Sequence, residues 1–280
     1  MEPSLLRYDR TGRGSPLVLL HGISHRRQVW RPVLRHLGEH VDVVAPDLPG
    51  CGESPEPPPG EPYDVAALAD AVAELCQDLG VVRPHVVGNS LGGAVALELG
   101  IRGRAASVTA FSPIGFATPL ENATLRALVY GMAVAGRVPE RLRGAVADTP
   151  PLRALARRTL HADPQAPAAR EARFNTAVLE PGSPFQRLAP EVANYTVPTT
   201  DVPCPVTIAW GERDRILPPR MARRARDRIP HAQVVTLLDC GHIPMVDDPA
   251  TVAVTIRRAC RPAGEGLACE TSAVRSSHRS

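Results

Sequence analysis

At 280 residues the chain is long enough to bury one large core, and a single α/β domain carrying an insertion fits that length better than two equal domains. Its net charge of +3 makes no field of the kind that holds nucleic acid, and all 32 basic residues are arginine, which excludes any mechanism needing a lysine. The first residues, Met1-Glu2-Pro3-Ser4, lack the basic-then-apolar pattern of an export signal, and no apolar run approaches the roughly 18 residues that span a membrane, so a cytoplasmic protein with no membrane or nucleic-acid partner is expected.

Residues 4 to 9 read as an edge strand and Thr11 to Ser15 as a glycine-rich turn. Pro16 to Leu20 is a continuous apolar run, as expected of a strand covered on both faces, and it ends in His21-Gly22-Ile23-Ser24. A helix is predicted from Gln28 to Leu37 with Trp30 inward, then a strand from Val41 to Ala45 that breaks at Pro46-Asp47-Leu48-Pro49-Gly50-Cys51-Gly52-Glu53-Ser54. Pro55 to Pro62 is too proline-rich to be regular. Apolar residues at Val65, Leu68, Val72, Leu75, Cys76 and Leu79 predict an amphipathic helix stopped by Gly80.

The segment from His85 to Leu99 reads as a short buried strand running into a helix, with Gly88-Asn89-Ser90-Leu91-Gly92 at the join. This is G-x-S-x-G in the setting that gives the pattern meaning: a serine on a tight strand-to-helix turn has a strained backbone, and the flanking glycines let neighbouring chain pass close. The Ser90 hydroxyl is then held clear of the sheet. The amide of Leu91, with a helix N-terminus behind it, points to where an oxyanion would form. The plain alternative is a glycine-rich turn ahead of an ordinary helix.

A further strand from Ala105 to Phe111 completes a β-α-β-α-β order, which implies parallel strands and right-handed crossovers: a doubly wound α/β sheet clothed by helices on both faces. After Ser112-Pro113 the text is helical only, with helices predicted near 120–135, 139–147, 152–161, 166–179 and 184–195. Such an insertion at the strand C-termini would roof a site there. Sheet rhythm resumes with Pro205 to Trp210, a helix near 219–229, a strand from Gln233 to Leu238 and a last helix from Pro249 to Cys260. The expected division is a core of 1–113 and 203–262, a helical cap of 114–202, and a tail of 263–280 without period, expected to be disordered.

A serine hydroxyl attacks only with help from a base, usually histidine, and that base needs an acid to fix its tautomer. Of nine histidines, His242 stands out because Cys240-Gly241-His242 follows the final strand, where a strand end delivers a side chain to the rim. For the acid, Asp214 follows the strand ending at Trp210, with Asp239 in reserve and Asp201, Asp247 and Asp248 as competitors. The six cysteines show no C-x-x-C or metal-ligand spacing and read as small apolar fillers.

These motifs, in this order, resemble the α/β-hydrolase fold family in the group with a helical cap after the sixth strand, over about residues 4 to 260. Agreeing features are His21-Gly22, the D-x-x-G-x-G-x-S loop from Asp47 to Ser54, the Ser90 elbow, Asp214 and Gly241-His242. The resemblance implies a mostly parallel eight-stranded sheet, Ser90 as nucleophile, His242 as general base and acid, Asp214 as orienting acid, and the amides of Leu91 and Ile23 as oxyanion hole, with no metal or cofactor. His21 and the Asp47 loop are expected to shape the loops beside the site, while Asn89 either sets the elbow or lines the pocket.

Departures from the family's pattern narrow the activity. Dehalogenases and epoxide hydrolases of this shape use an aspartate nucleophile, and hydroxynitrile lyases rely on a lysine. Carbon-carbon bond hydrolases acting on ring-cleavage diketones usually carry tryptophan where this chain has Ile243, and haloperoxidase relatives carry methionine at Leu91. The expected function is hydrolysis of a small or medium apolar carboxylic ester or related acyl substrate; the alternatives are the carbon-carbon hydrolase and a non-enzymatic small-ligand receptor on the same fold. Phe111, Phe116, Met132 and Asn89 are the expected pocket residues, in a cap stripe that also includes Ile114, Leu128, Val129, Val134 and Val178.

Overall fold

The structure is a computed structural model that describes residues 4–23, 25–38, 40–136, 141, 149–162, 183–198 and 201–260. Its strands are β1 (Tyr8–Gly12), β2 (Ser15–Leu20), β3 (Val41–Pro46), β4 (His85–Asn89), β5 (Ser107–Phe111), β6 (Val206–Gly211) and β7 (Gln233–Leu237). They form one sheet in the order β1-β3-β2-β4-β5-β6-β7. Among the described strands only β1 runs antiparallel, along β3 at the sheet edge.

Among the described residues seven strands form the sheet, where the resemblance implies eight. The segment ahead of β1 does not pair as a further strand; it is tied to the loop after β3, with the Asp47 amide donating to the Arg7 carbonyl at 2.8 Å and the Arg7 amide to Ser54 Oγ at 2.9 Å. In this chain's own count the helical insertion follows the fifth strand.

Helices cover both faces. On one, α2 (Val65–Asp78) and α3 (Leu91–Ile101) pack with Val18, Val86 and Ile208; on the other, α1 (Arg31–Leu37) and, near the C-terminus, α9 (Pro249–Ala259) pack with Leu17, Leu19 and Val87. The alternation of β2 and β4 side chains between two cores is why both strands read as unbroken apolar runs. α2 starts where Asp64 accepts from the Ala67 amide at 2.8 Å and stops at Gly80, whose φ of 66° is left-handed.

Within the insertion lie α4 (Pro119–Gly136), α5 (Pro150–Leu160) and α6 (Pro184–Asn194); α7 (Arg220–Arg228) and the short α8 (Pro244–Asp247) belong to the core. The helices predicted at 139–147 and 166–179 and the tail of 263–280 lie outside the described residues. Ion pairs hold the cap down: Glu121 of α4 takes Arg220 and Arg224 of α7, and Arg187 of α6 reaches Glu56 at 2.7 Å while lying over the Tyr63 ring. Among the described residues no helix is long and apolar enough to cross a membrane.

α3 is buried on nearly every side, with nine of its eleven residues inaccessible. It lies so close to the sheet that a Cβ on Gly88 would overlap the Gly92 carbonyl, and one on Gly92 would meet the Leu20 and His21 carbonyls. Gly88→Ala is therefore expected to destabilise by about 3 kcal/mol or more, because the obstacle is backbone and cannot rotate away; thermal denaturation followed by circular dichroism measures it.

Candidate active site

The C-termini of β2, β4, β5, β6 and β7 share one edge of the sheet, and each delivers one part of the site. β4 ends at Asn89, and Ser90 turns with φ 55° and ψ −114°, the left-handed region that a side chain adopts only under constraint. The constraint comes from β5 and beyond: the Ser90 amide donates to the Phe111 carbonyl at 2.9 Å, and its carbonyl accepts from Ala94 at 3.2 Å and Ile114 at 3.3 Å. Leu91 is the first residue of α3, so its N–H has no acceptor within the helix and sits at the positive end of the helix dipole. Gly22, after β2, runs against the elbow so tightly that a Cβ there would be 3.3 Å from that of Ser90, which brings Ile23 to the same rim.

His242 follows β7, and Asp214 follows β6. Their side chains meet, His242 Nδ1 lying 2.8 Å from Asp214 Oδ2. The other Asp214 oxygen accepts from the amides of Ile216 at 2.9 Å and Leu217 at 2.8 Å, so a carboxylate only 3% exposed has its acceptors filled. With Nδ1–H donating to Asp214, Nε2 of His242 is left as the acceptor toward the cavity. Asp239, the reserve acid, is exposed and paired with Arg213. Asp248 caps α9 through the Thr251 amide at 2.9 Å, and Asp247 bonds His161 at 3.0 Å.

Asn89 bridges two turns. Its Nδ2 donates to the Phe111 carbonyl at 3.1 Å and the His242 carbonyl at 3.0 Å, joining the elbow to the histidine turn, and it also borders the cavity. His21 is wholly buried, with Nδ1 2.8 Å from the Gly22 carbonyl and Nε2 accepting from the Leu48 amide at 2.9 Å. Burial lowers its pKa and these partners define a neutral tautomer, so it fastens the β2 and β3 loops together. The buried Asp47 extends the same joint through the amides of Arg27 at 2.7 Å and Glu53 at 3.0 Å.

A cavity of about 160 Å³ opens on Ser90 and His242. The insertion contributes Ile114, Leu125, Leu160, Phe185, Val192 and Ala193 to its wall, and the core Ile216 and Leu217 together with His25. Two expected pocket residues are elsewhere. Phe111 is fully buried on the opposite face, its ring 6.3 Å from Trp30, because the last residue of β5 points away from the cap. Phe116 is buried in the core beneath the cap, where its carbonyl accepts from Arg224, and does not border the cavity. Met132 falls on α4, and its side chain lies outside the described residues. Sequence reasoning missed His25, whose ring borders the cavity, and Leu160, for which a helix-face pattern holds no signal of what it will meet.

A mostly parallel doubly wound sheet with a serine on its strand-helix elbow, and a histidine-aspartate pair beside it, defines a hydrolase-type α/β protein. The chain belongs to the alpha/beta hydrolase family, whose family model matches residues 17–255. It is similar to an epoxide hydrolase of Mycobacterium tuberculosis, 35% identical over a 210-residue alignment that covers 68% of this chain and 92% of that one. Lipase 3 of Moraxella sp. is 26% identical over a 255-residue alignment that covers 84% of this chain and 73% of the lipase. Among solved structures, a thermophilic esterase from Thermogutta terrifontis is 26% identical, with a TM-score of 0.69 over 90% of this chain and 92% of its own.

Two predictions follow from the geometry. Asp214→Asn is expected to lower kcat by about 10³- to 10⁴-fold with the fold intact, because an amide favours the wrong imidazole tautomer, whereas Asp239→Asn stays within about threefold; steady-state kinetics on both variants decides between the two acids. The second concerns His25. The protein around its ring, together with His21, pushes its pKa from 6.5 down to about 4. The unfolded chain then binds the proton first, so stability is full above pH 6.5 and falls as the pH drops from 6.5 to about 4. Urea unfolding across that window should show this loss, and His25→Asn should make it shallower.

Proposed function

We propose that the chain is a serine hydrolase that cleaves carboxylic esters of small, mainly apolar acids through an acyl-serine intermediate. The observation that carries this is one apolar cavity onto which Ser90 and His242 both open, with Asp214 holding His242 from behind. Ser90 Oγ attacks the ester carbonyl carbon while His242 Nε2 takes its proton; the carbonyl oxygen becomes an oxyanion facing the amides of Leu91 and Ile23. Collapse breaks the bond to the alcohol, which leaves with the proton from His242. Water then gives a proton to His242 and attacks the acyl-serine, releasing the acid and restoring Ser90.

The cavity matches in size one known to hold a benzene molecule, about 150 Å³, which suits an acyl group of about six carbons. Its described wall has no arginine or carboxylate, only the histidines His25 and His242 as ionisable groups. A ring-cleavage diketone bearing a carboxylate would call for a cationic partner, so the described wall suits an ester better. Epoxide opening is disfavoured by chemistry: attack by Ser90 would leave an ether, which has no carbonyl for water to attack, whereas an aspartate leaves an ester. The reading is of a cytoplasmic enzyme, in keeping with free cysteines whose thiols at 51, 240 and 260 are pushed up to about 12 by burial.

An organophosphonate probe should add once, on the Ser90 peptide, and not to Ser90→Ala; mass spectrometry of the digested protein locates it, and labelling at another serine refutes the assignment. On a panel of p-nitrophenyl esters, Leu125→Ala should shift the preferred acyl length upward by the modest 10- to 200-fold discrimination, about 1 to 3 kcal/mol, that a methylene-sized change supplies. Reaction with ring-cleavage diketones alone would replace the ester reading by the carbon-carbon one.

A further inference from the structure

Asp247 ends α8, five residues beyond His242, and no step of the proposed cycle uses it. Its carboxylate is 2% exposed and is filled from two directions. From the core side the Gly241 amide donates at 2.7 Å; from the cap side the Ala162 amide donates at 3.0 Å and His161 Nδ1 lies at 3.0 Å. Gly241 is the residue before His242, and His161 and Ala162 follow α5.

The two sides also touch directly. The His242 amide donates to the carbonyl of Leu160, the last residue of α5, at 3.0 Å, and Leu160 borders the cavity. A Cβ on Gly241 would stand 2.8 Å from that same carbonyl oxygen and 2.9 Å from the Ala162 nitrogen, so the cap chain rests on the histidine turn with no room between them. A buried carboxylate that satisfies donors from both segments fixes their register, because moving either one strands a donor away from water.

We propose that Asp247 is a positioning residue that locks the Gly241-His242 turn to the end of the cap helix α5, so that one carboxylate sets both the aim of His242 and the cavity wall at Leu160. The inference rests on His242 being the general base. Its two arms have different consequences. Losing the carboxylate frees the turn itself and slows attack by Ser90 on every acyl group. Losing only His161 loosens the cap end, and the effect falls on acyl groups long enough to reach Leu160.

The test compares Asp247→Asn, Asp247→Ala, His161→Leu and His161→Asn in the full chain, each confirmed folded by circular dichroism at the assay temperature. Asp247→Ala should slow both ester turnover and phosphonylation of Ser90 by about tenfold or more, on short and long esters alike, with Asp247→Asn between it and the wild type. His161→Leu should instead raise KM about fivefold for the longer esters, and His161→Asn, whose amide nitrogen can occupy the place of Nδ1, should restore it. Equal profiles for Asp247→Ala and His161→Leu, or Ser90 phosphonylation within twofold of wild type in both Asp247 variants, overturn the proposal. If Asp247→Ala does not fold, the Asp247→Asn rate and the His161 pair decide it. A wild-type protein that reacts with the phosphonate but turns over no ester refutes the ester reading alone, since the phosphonylation rates still report on Asp247.

Discussion

The site depends on a close approach of backbone to backbone at the β4-α3 elbow. Ser90 sits in a left-handed conformation that costs about 1 to 3 kcal/mol and persists only where its surroundings over-determine it. Here they do: Gly88 stacks on Gly92, Gly92 on the end of β2, Gly22 on the Ser90 side chain, and β5 binds the Ser90 amide. The same contacts that bend the chain bury α3 between the sheet and α2. Strain at the serine is thereby offset by apolar burial along the whole helix.

Around that elbow the loops are joined by buried polar groups with more than one partner each. His21 joins the β2 loop to the β3 loop, Asn89 joins the elbow to the histidine turn, and Asp214 gathers His242 with the two amides after β6. Each group is inaccessible, so a displaced loop would leave a donor or acceptor unpaired, at a cost of about 1 to 3 kcal/mol. Apolar packing alone would tolerate sliding; these hydrogen bonds do not. Rigid placement of His242 against Ser90 follows from that difference.

The cap adds chemistry of a different kind. It contributes no ionisable group to the described cavity wall, only aliphatic side chains and Phe185, and it is held to the core by Glu121, Arg187 and the segment after α5. In the proposed cycle, excluding water over the elbow would strengthen the pull of the Leu91 amide and the α3 dipole on a developing negative charge.

Much of this was legible in the sequence. Unbroken apolar runs located β2 and β4, a 3.6-residue period located α2, and the order of elements implied a doubly wound parallel sheet; Ser90, Asp214 and His242 stood out because each follows a strand end. These are local properties, governed by backbone geometry and by which side chains carry chemistry. Tertiary structure alone decided that Phe111 faces Trp30 rather than the cavity, that the segment before β1 ties to the β3 loop instead of adding an eighth strand, and that Asp239 is exposed while Asp247 is buried between core and cap. A strand-end residue turns to one face or the other, and a carboxylate finds a partner or solvent, only through contacts with segments tens to more than a hundred residues distant, and no local period encodes those.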